Sequence, residues 1–398
     1  MTKINPSHTA NLTKQLVVKP PQARISPLIK AGVTLAVLLA ALWAGLVLWI
    51  HLVPLGGLRV IILLMLGVGV GLTLKSYWQQ ALHWQKQLAL LCTLWLMLLM
   101  WFVWLPPKQD RHWMPEVSQV LQFTQDPQNP NLITLHNVRN FDWVRSTGTQ
   151  PLSQPEAPYY YKVASDDTKE VVATERWSER TVDLDKLSGV DIVNSYWMGE
   201  QIAHTLLSFR FEDERPLSFS IEIRKEESES FSAFGGFVKQ FEMAVVAAEE
   251  RDIIYTRTNV RGEQVYLLPI EGMSKAQMQA LFKAYLQQVK QLQQQPIWYN
   301  TLIRNCTTVI FDMARAIDGR DFPWDYRILM SGYVPNYLYD QHLLPRQTEN
   351  WRIEQWYKAA HINPKVAHFS VENNQSADSY SKKIRQQIPQ PALVAKAD

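Results

Sequence analysis

The chain has 398 residues, of which 47% are hydrophobic and 19% charged, less charge than the roughly 25% usual in soluble domains. That balance excludes a mainly disordered chain, and two cysteines exclude a disulfide scaffold. The net charge of +3 hides a split: residues 1–105 hold eight Lys+Arg and no Asp or Glu, leaving 32 basic and 37 acidic side chains for the rest, a balance that speaks against a nucleic-acid partner.

The acid-free quarter contains three apolar stretches, Ala31–Leu52, Leu58–Leu74 and Leu88–Leu105, each near the ~20 residues that cross the hydrocarbon as a helix. Arg59 sits at the edge of the second, where its long side chain can snorkel. Trp43, Trp49, Trp95, Trp101 and Trp104 lie in or near the span ends, as in interfacial belts. Lys3, Lys14, Lys19, Arg24 and Lys30 precede the first span, and Lys75 and Lys86 separate the second from the third. The positive-inside bias therefore puts those segments in the cytoplasm and everything from residue 106 outside. The expected organisation is a cytoplasmic segment 1–30, a three-helix anchor 31–105, a linker 106–131, an outer domain 132–370 and a disordered polar tail 371–398. The expected location is a bacterial inner (cytoplasmic) membrane with the large domain in the periplasm.

Within the linker, one short helix is expected around Glu116–Thr124. Leu132–Trp143 reads as extended, Ser146–Pro158 as a loop, and Tyr159–Tyr161 and Val171–Thr174 as strands. The segment His204–Lys225 reads as a hairpin. On its second arm Leu217, Phe219, Ile221 and Ile223 alternate with Ser218, Ser220, Glu222 and Arg224. On its first arm Leu207, Phe209 and Phe211 lie opposite His204. Matching the apolar faces puts His204 and Glu222 on one polar side, close enough to interact. A helix is expected around Gly236–Glu249, then strands Asp252–Thr258 and Gln264–Pro269. Ser274-Lys-Ala-Gln277 is a capping box opening a helix to about Gln294. A second helix carries Val309, Ile310, Met313, Ala314 and Ile317 as one stripe, with Cys306 at its first turn.

Cys92 falls inside the third span and reads as structural. Cys306 has no cysteine partner in its domain, and an oxidising compartment penalises stray thiols. A helix N-terminus stabilises a thiolate, so Cys306 is either a nucleophile or an inert buried thiol. A nucleophile needs an imidazole, and the imidazole an orienting group. Of nine histidines, only His204 begins an amphipathic strand in mid-domain. Glu222 on the same face could hold its Nδ1–H, or could be a strand carboxylate paired with Arg224. Arg139, Asn140 and Asp142 suit a structural pairing or the lining of a site, and Asp252 and Arg257 read as potential buried partners. Trp298, Trp324, Trp351 and Trp356 suit packing or the border of an acyl groove. Phe234-Gly-Gly-Phe237 lacks the Gly-Lys-Ser/Thr of a phosphate loop, and no Cys/His cluster has zinc spacing, so neither cofactor nor metal is expected.

Histidine first, then a carboxylate, then Asn305-Cys306 at a helix start resembles the circularly permuted papain-like arrangement of lecithin–retinol acyltransferase relatives. A closer resemblance covers about Ile133–Ile317. Asn137-Val-Arg-Asn-Phe141, Ala203-His-Thr-Leu-Leu-Ser-Phe209, Ser220-Ile-Glu-Ile-Arg224, Glu250-Arg-Asp252 and Tyr299-Asn-Thr-Leu-Ile-Arg-Asn-Cys-Thr-Thr308 resemble the periplasmic domain of Lnb-type lipoprotein intramolecular transacylases. The resemblance implies an α+β, permuted papain-like domain after three transmembrane helices. It also implies acyl transfer through a Cys306 thioester, with His204 as base and then acid, Glu222 as orienter and the Cys306 N–H as oxyanion donor. In that family an acyl chain passes from the glycerol of a lipidated cysteine to its own amino group. Membrane helices follow the domain there, whereas here three precede it. The expected partner is a lipid-linked substrate (lipoprotein or phospholipid) at the membrane. A cysteine amidase or peptidase of the envelope and a non-enzymatic binding protein are the alternatives.

Overall fold

The computed structural model describes residues 25–145, 171–197, 199–232, 234–318, 325–345, 348, 350–369 and 377–391. Two compact units meet in sequence at residue 105, Met1–Leu105 and Pro106–Asp398. The expected loop at 146–158 and strand at 159–161 lie outside the described residues.

The first unit contains three apolar helices, α1 (Pro27–His51), α2 (Gly57–Gln79) and α3 (Trp84–Trp104). At 1.5 Å per residue each is about 30 Å or longer, enough to cross a bilayer. The sequence explains their limits. Ser26 caps α1, accepting from Ile29 N at 3.4 Å, with Pro27 at its first position. The short Val53–Leu55 turn and Gly56, at φ 52°, reverse the chain into α2. Trp43 packs edge-on against Trp95 and Phe102, with centroids 5.7 and 5.2 Å apart. The Arg59 guanidinium lies over the Trp49 ring at 3.9 Å, an apolar stem with a polar end. Cys92 is exposed on α3.

The second unit is mixed α+β around one sheet. Its strands are β1 (Gln122–Gln125), β2 (Leu132–Arg139), β5 (Trp177–Asp183), β6 (Leu187–Tyr196), β7 (Ala203–Phe211), β8 (Leu217–Arg224), β9 (Glu242–Glu249) and β10 (Gln264–Pro269). They are ordered β1-β2-β9-β8-β7-β6-β10, with β5 on β2. Pairing is antiparallel except between β2 and β9. β3 (Asp142–Arg145) and β4 (Val171–Thr174) form a separate ribbon. The apolar face of the hairpin packs on α5 (Lys275–Gln294), where Phe209, Phe219 and Phe282 meet at centroid distances of 5.1–5.6 Å. The capping box opens α5 as expected, with Gln277 N on Ser274 Oγ and Ser274 N on Gln277 Oε1. α4 (Glu250–Tyr255) precedes β10, and α6 (Cys306–Asp318) follows α5.

Four expectations are corrected. Glu116–Thr124 is a single 3₁₀ turn, Pro115–Val117, followed by β1. Its Val117 and Leu121 are buried, so this stretch is part of the outer unit's core and not a free linker. Gly236–Glu249 is a short turn followed by β9. The Ala-Val-Val-Ala-Ala run has helical propensity, but it lies buried between β8 and β2 and follows the sheet, tertiary context overriding propensity. Asp252–Thr258 is helical, α4 running into a π-turn at Thr256–Val260. The β-branched Ile253 and Ile254 gave it a strand-like look, yet both face the core.

The fourth correction concerns the tail. Ala377–Ile384 is a helix with Tyr380 and Ile384 fully buried. Just beyond it, Arg385 pairs with Asp191 at 2.7 Å and Glu250 at 2.6 Å. Low apolar content concealed this because the segment docks through three apolar side chains, Tyr380, Ile384 and Ile388, and one paired cation. Such charges are tolerated in a core only when paired.

Candidate active site

The hairpin positions the first two residues. β7 and β8 pair Leu207 with Phe219, Ser208 with Ser218 and Phe209 with Leu217. Continued toward the start of β7, that register sets His204 opposite Glu222. His204 Nε2 lies 3.3 Å from Glu222 Oε1 and 2.7 Å from Ser220 Oγ, and Ser220 Oγ donates to Glu222 Oε1 at 2.7 Å. Carboxylate and hydroxyl thus hold Nε2, not the expected Nδ1, which leaves Nδ1 for the thiol. Both side chains are largely buried, 16% and 18% exposed.

Cys306 is brought in by local sequence chemistry. Asn300 Oδ1 accepts from Leu302 N and Ile303 N at 3.0 and 3.1 Å, turning the chain. Asn305 then caps α6: its Oδ1 accepts from Thr307 N and Thr308 N at 2.9 and 2.8 Å, and Thr308 Oγ1 accepts from Asn305 N at 2.8 Å. This is the reciprocal capping that orphan helix amides favour, and it leaves Cys306 as the first helical residue. Thr307 Oγ1 donates to Thr205 Oγ1 at 3.0 Å, fastening α6 to the strand residue next to His204.

The electrostatics follow from the juxtaposition. Burial opposes the charged form of Cys306, but the His204 imidazolium outweighs it. With bonds from His204 and the Thr205 N–H, it brings the thiol down to about 7. Burial likewise opposes charge on His204, but the Glu222 carboxylate and the Cys306 thiolate push it up to about 9. Burial works against Glu222 too, yet His204 and the Arg257 guanidinium hold its carboxyl well below the usual carboxylate range. The stable form near neutral pH is a thiolate–imidazolium pair backed by a carboxylate.

Three neighbours escaped the sequence. Arg257 Nη2 donates to Glu222 Oε1 at 2.8 Å and its Nη1 to Ile253 O at 2.8 Å. Its expected partner Asp252 is instead held by Arg139 Nε at 3.0 Å, Phe141 N at 2.8 Å and Trp143 Nε1 at 2.8 Å. Arg224, the alternative partner of Glu222, bonds the carbonyls of Val117 and Ser118 and Gln109 Oε1. Ser220 was legible as a polar-face residue but not as a bridge. Tyr299 is buried beside Cys306, and burial and the thiolate keep its phenol protonated, far above its ordinary value.

Cys306, His204, Glu222, Arg257 and Tyr299 line a cleft of about 230 Å³. Trp197 and Glu263 also border an adjoining groove of about 730 Å³, walled by Tyr196, Tyr266, Tyr333 and Tyr357. Trp298, Trp351 and Trp356 line neither, and Trp351 and Trp356 pack on each other with centroids 5.5 Å apart. Trp324 lies outside the described residues. Among the described residues no group of three or more His, Cys, Asp or Glu is placed to hold a metal ion.

Comparison with protein families matches residues 173–332 to the Lnb N-terminal periplasmic domain. The match spans His204, Glu222 and Cys306. No curated protein and no solved structure matches the chain. The family match and the three apolar helices together describe a membrane-anchored envelope protein with a periplasmic domain.

Proposed function

We propose that this chain, whose residues 173–332 carry an Lnb-type periplasmic domain, is a cysteine acyltransferase or acyl hydrolase of the inner membrane acting on a lipid-linked substrate. The observation that carries the reading is the meeting of Cys306, His204 and Glu222 in one cleft. The order of strand histidine, strand carboxylate and helix-opening cysteine supports a permuted papain-like relationship.

In the first half-reaction the Cys306 thiolate attacks the carbonyl carbon of an acyl ester. The S–C bond forms, and charge gathers on the carbonyl oxygen, where the Cys306 N–H and the Tyr299 hydroxyl are the available donors. The ester C–O bond breaks and the His204 imidazolium gives its proton to the departing alkoxide. A thioester and a free alcohol result. In the second half the acceptor, an amine or water, loses a proton to the now neutral imidazole as it attacks the thioester carbon. The C–S bond breaks and the thiolate returns. Glu222 holds the imidazole through Nε2 and stabilises its charged form, while Arg257 keeps Glu222 ionised.

The test is intact-mass analysis of the full chain after incubation with phospholipid vesicles or a diacylated lipopeptide. A fatty-acyl increment on Cys306, removed by neutral hydroxylamine and absent from Cys306→Ala, is the expected result. No increment with either donor would overturn the reading. One observation favours the second reading, a cysteine amidase of cell-wall peptide. The tyrosine-walled groove beside the cleft carries Glu200 and Asn336 and suits a polar strand of peptide. Cleavage of peptidoglycan stem peptides without an acyl-enzyme on lipid donors would select it.

A further inference from the structure

Among the described residues beyond 105, every exposed large hydrophobic side chain either lines the Cys306 cleft or lies within three residues of one that does. They form two lips. One contains Phe234 and Phe237, 64% and 39% exposed, with Leu302 and Ile303, 49% and 75% exposed. Gly236 and Thr301, between them in sequence, line the cleft. The other contains Ile202, Leu329, Met330 and Tyr326, with Ile202 and Leu329 in the cleft wall. Isolated exposed apolar residues need no explanation, but an apolar rim confined to one opening does.

The lips are rigid. Thr301 N donates to Gly236 O at 3.4 Å, and a Cβ on Gly236 would stand 2.2 Å from Thr301 Oγ1. In the second lip Gly332 N donates to Gln201 O at 3.0 Å, and a Cβ on Gly332 would stand 2.0 Å from the Glu200 carbonyl oxygen. Ser331 Oγ accepts from Ala203 N at 3.0 Å and donates to Ala203 O at 2.5 Å. Gly332 lets two backbones touch and Gly236 admits the Thr301 hydroxyl, so each lip is two loops sewn into one edge. Phe234-Gly-Gly-Phe237, no phosphate loop, is one of these seams.

We propose that the two lips insert into the lipid surface of the membrane that anchors the chain, so that a lipid-linked substrate reaches Cys306 without crossing water. The occupant is a bilayer because this chain carries its own spans, which confine the outer unit to the neighbourhood of lipid and raise its effective concentration there. Exposed Arg304 beside Ile303 gives the tip the pairing of apolar side chain and cation that suits the headgroup boundary. The substrate's identity rests on the acyl-transfer reading; the insertion is measured without it.

The experiment uses the full chain carrying Cys92→Ala and Cys306→Ala, with one introduced cysteine at a time: Ile303→Cys, Phe234→Cys, or Gln287→Cys on the exposed side of α5. Each is labelled with an environment-sensitive fluorophore in nanodiscs of phosphatidylglycerol and phosphatidylcholine, with and without nitroxide-bearing lipid. Quenching at 303 and 234 roughly threefold or more above that at 287 is expected for side chains at acyl depth. Equal quenching at all three positions would overturn the proposal. So would shielding at 303 that follows protein concentration and ignores the nitroxide, the mark of a second copy. Insertion without an acyl-enzyme would count against the catalytic reading alone, and an acyl-enzyme without insertion against the rim alone.

Discussion

Arg257 grips Glu222 by the oxygen that faces His204: Glu222 Oε1 lies 2.8 Å from Arg257 Nη2 and 3.3 Å from His204 Nε2. The carboxylate is thus held between two cations, and Arg257 itself is only 3% exposed. Removing one partner of a buried ion pair costs about 3–5 kcal/mol, because the other charge is left uncompensated. In Arg257→Leu, Glu222 takes up a proton more readily and its support for the imidazolium weakens. The expected outcome is a loss of acyl-transfer rate with Cys306 alkylation shifted to higher pH, read by rate and by thiol titration together. Arg257→Lys should restore part of both.

The thiol and the imidazole titrate in opposite senses. Cys306 lies below its ordinary value, at about 7, so its thiolate gains above that pH and is lost as pH falls through it. His204 lies above its ordinary value, at about 9, so its imidazolium is full well below 9 and is lost as pH rises through it. The reactive pair is therefore populated between about 7 and 9. Iodoacetamide labelling of Cys306 should rise with an apparent pKa near 7 and move above 8 in His204→Ala. Labelling that is unchanged by the histidine, or absent until denaturation, would mean an inert thiol.

Glu222→Gln keeps the shape of the contact and removes its charge. Neutralising the orienting carboxylate of a comparable hydrolase triad costs about 10⁴ in kcat. Here Ser220 also bonds Nε2, so a smaller loss, of order 10²–10³, is expected. Ser220→Ala should cost roughly tenfold. Steady-state rates on a short-chain ester would rank the two.

Asp252 sits under the site without taking part in it. It accepts from Arg139, Phe141 N and Trp143, tying β2 and β3 to α4. Asp252→Ala should destabilise the outer unit by about 3–5 kcal/mol, seen as a lower thermal midpoint. The pH profile of Cys306 labelling in the folded fraction should stay in place.

Asn305 positions the nucleophile through backbone chemistry. Asn305→Ala deletes the acceptor for the Thr307 and Thr308 amides, a loss of about 1 kcal/mol of stability. A larger effect on activity is expected, because the first turn of α6 carries the thiol. Asn305→Asp keeps the acceptor and should retain the stability, while its added charge beside Cys306 raises the thiol pKa.

The sequence exposed the parts of the site that depend on period and caps. Alternation alone placed His204 and Glu222 on one face, and Asn305-Cys306 before an apolar stripe marked the helix start. It missed what depends on chain segments meeting across the fold. Arg257 projects from a π-turn that read as a strand, so its partner was misassigned to Asp252. Tyr299 lay in a quoted motif, but only packing shows its hydroxyl against the thiol. Two of the errors in secondary structure share one cause. β9 and α4 are buried, and burial overrode the propensities of Ala-Val-Val-Ala-Ala and Ile253-Ile254.

Arg385 closes on Asp191 across 194 positions. Among the described residues Arg385 is the cation paired with Glu250, while Asp191 is also held by Arg210 at 3.2 Å. A chain cut short of residue 385 leaves the buried Glu250 carboxylate without that arginine and would present itself to envelope proteases as an incomplete protein.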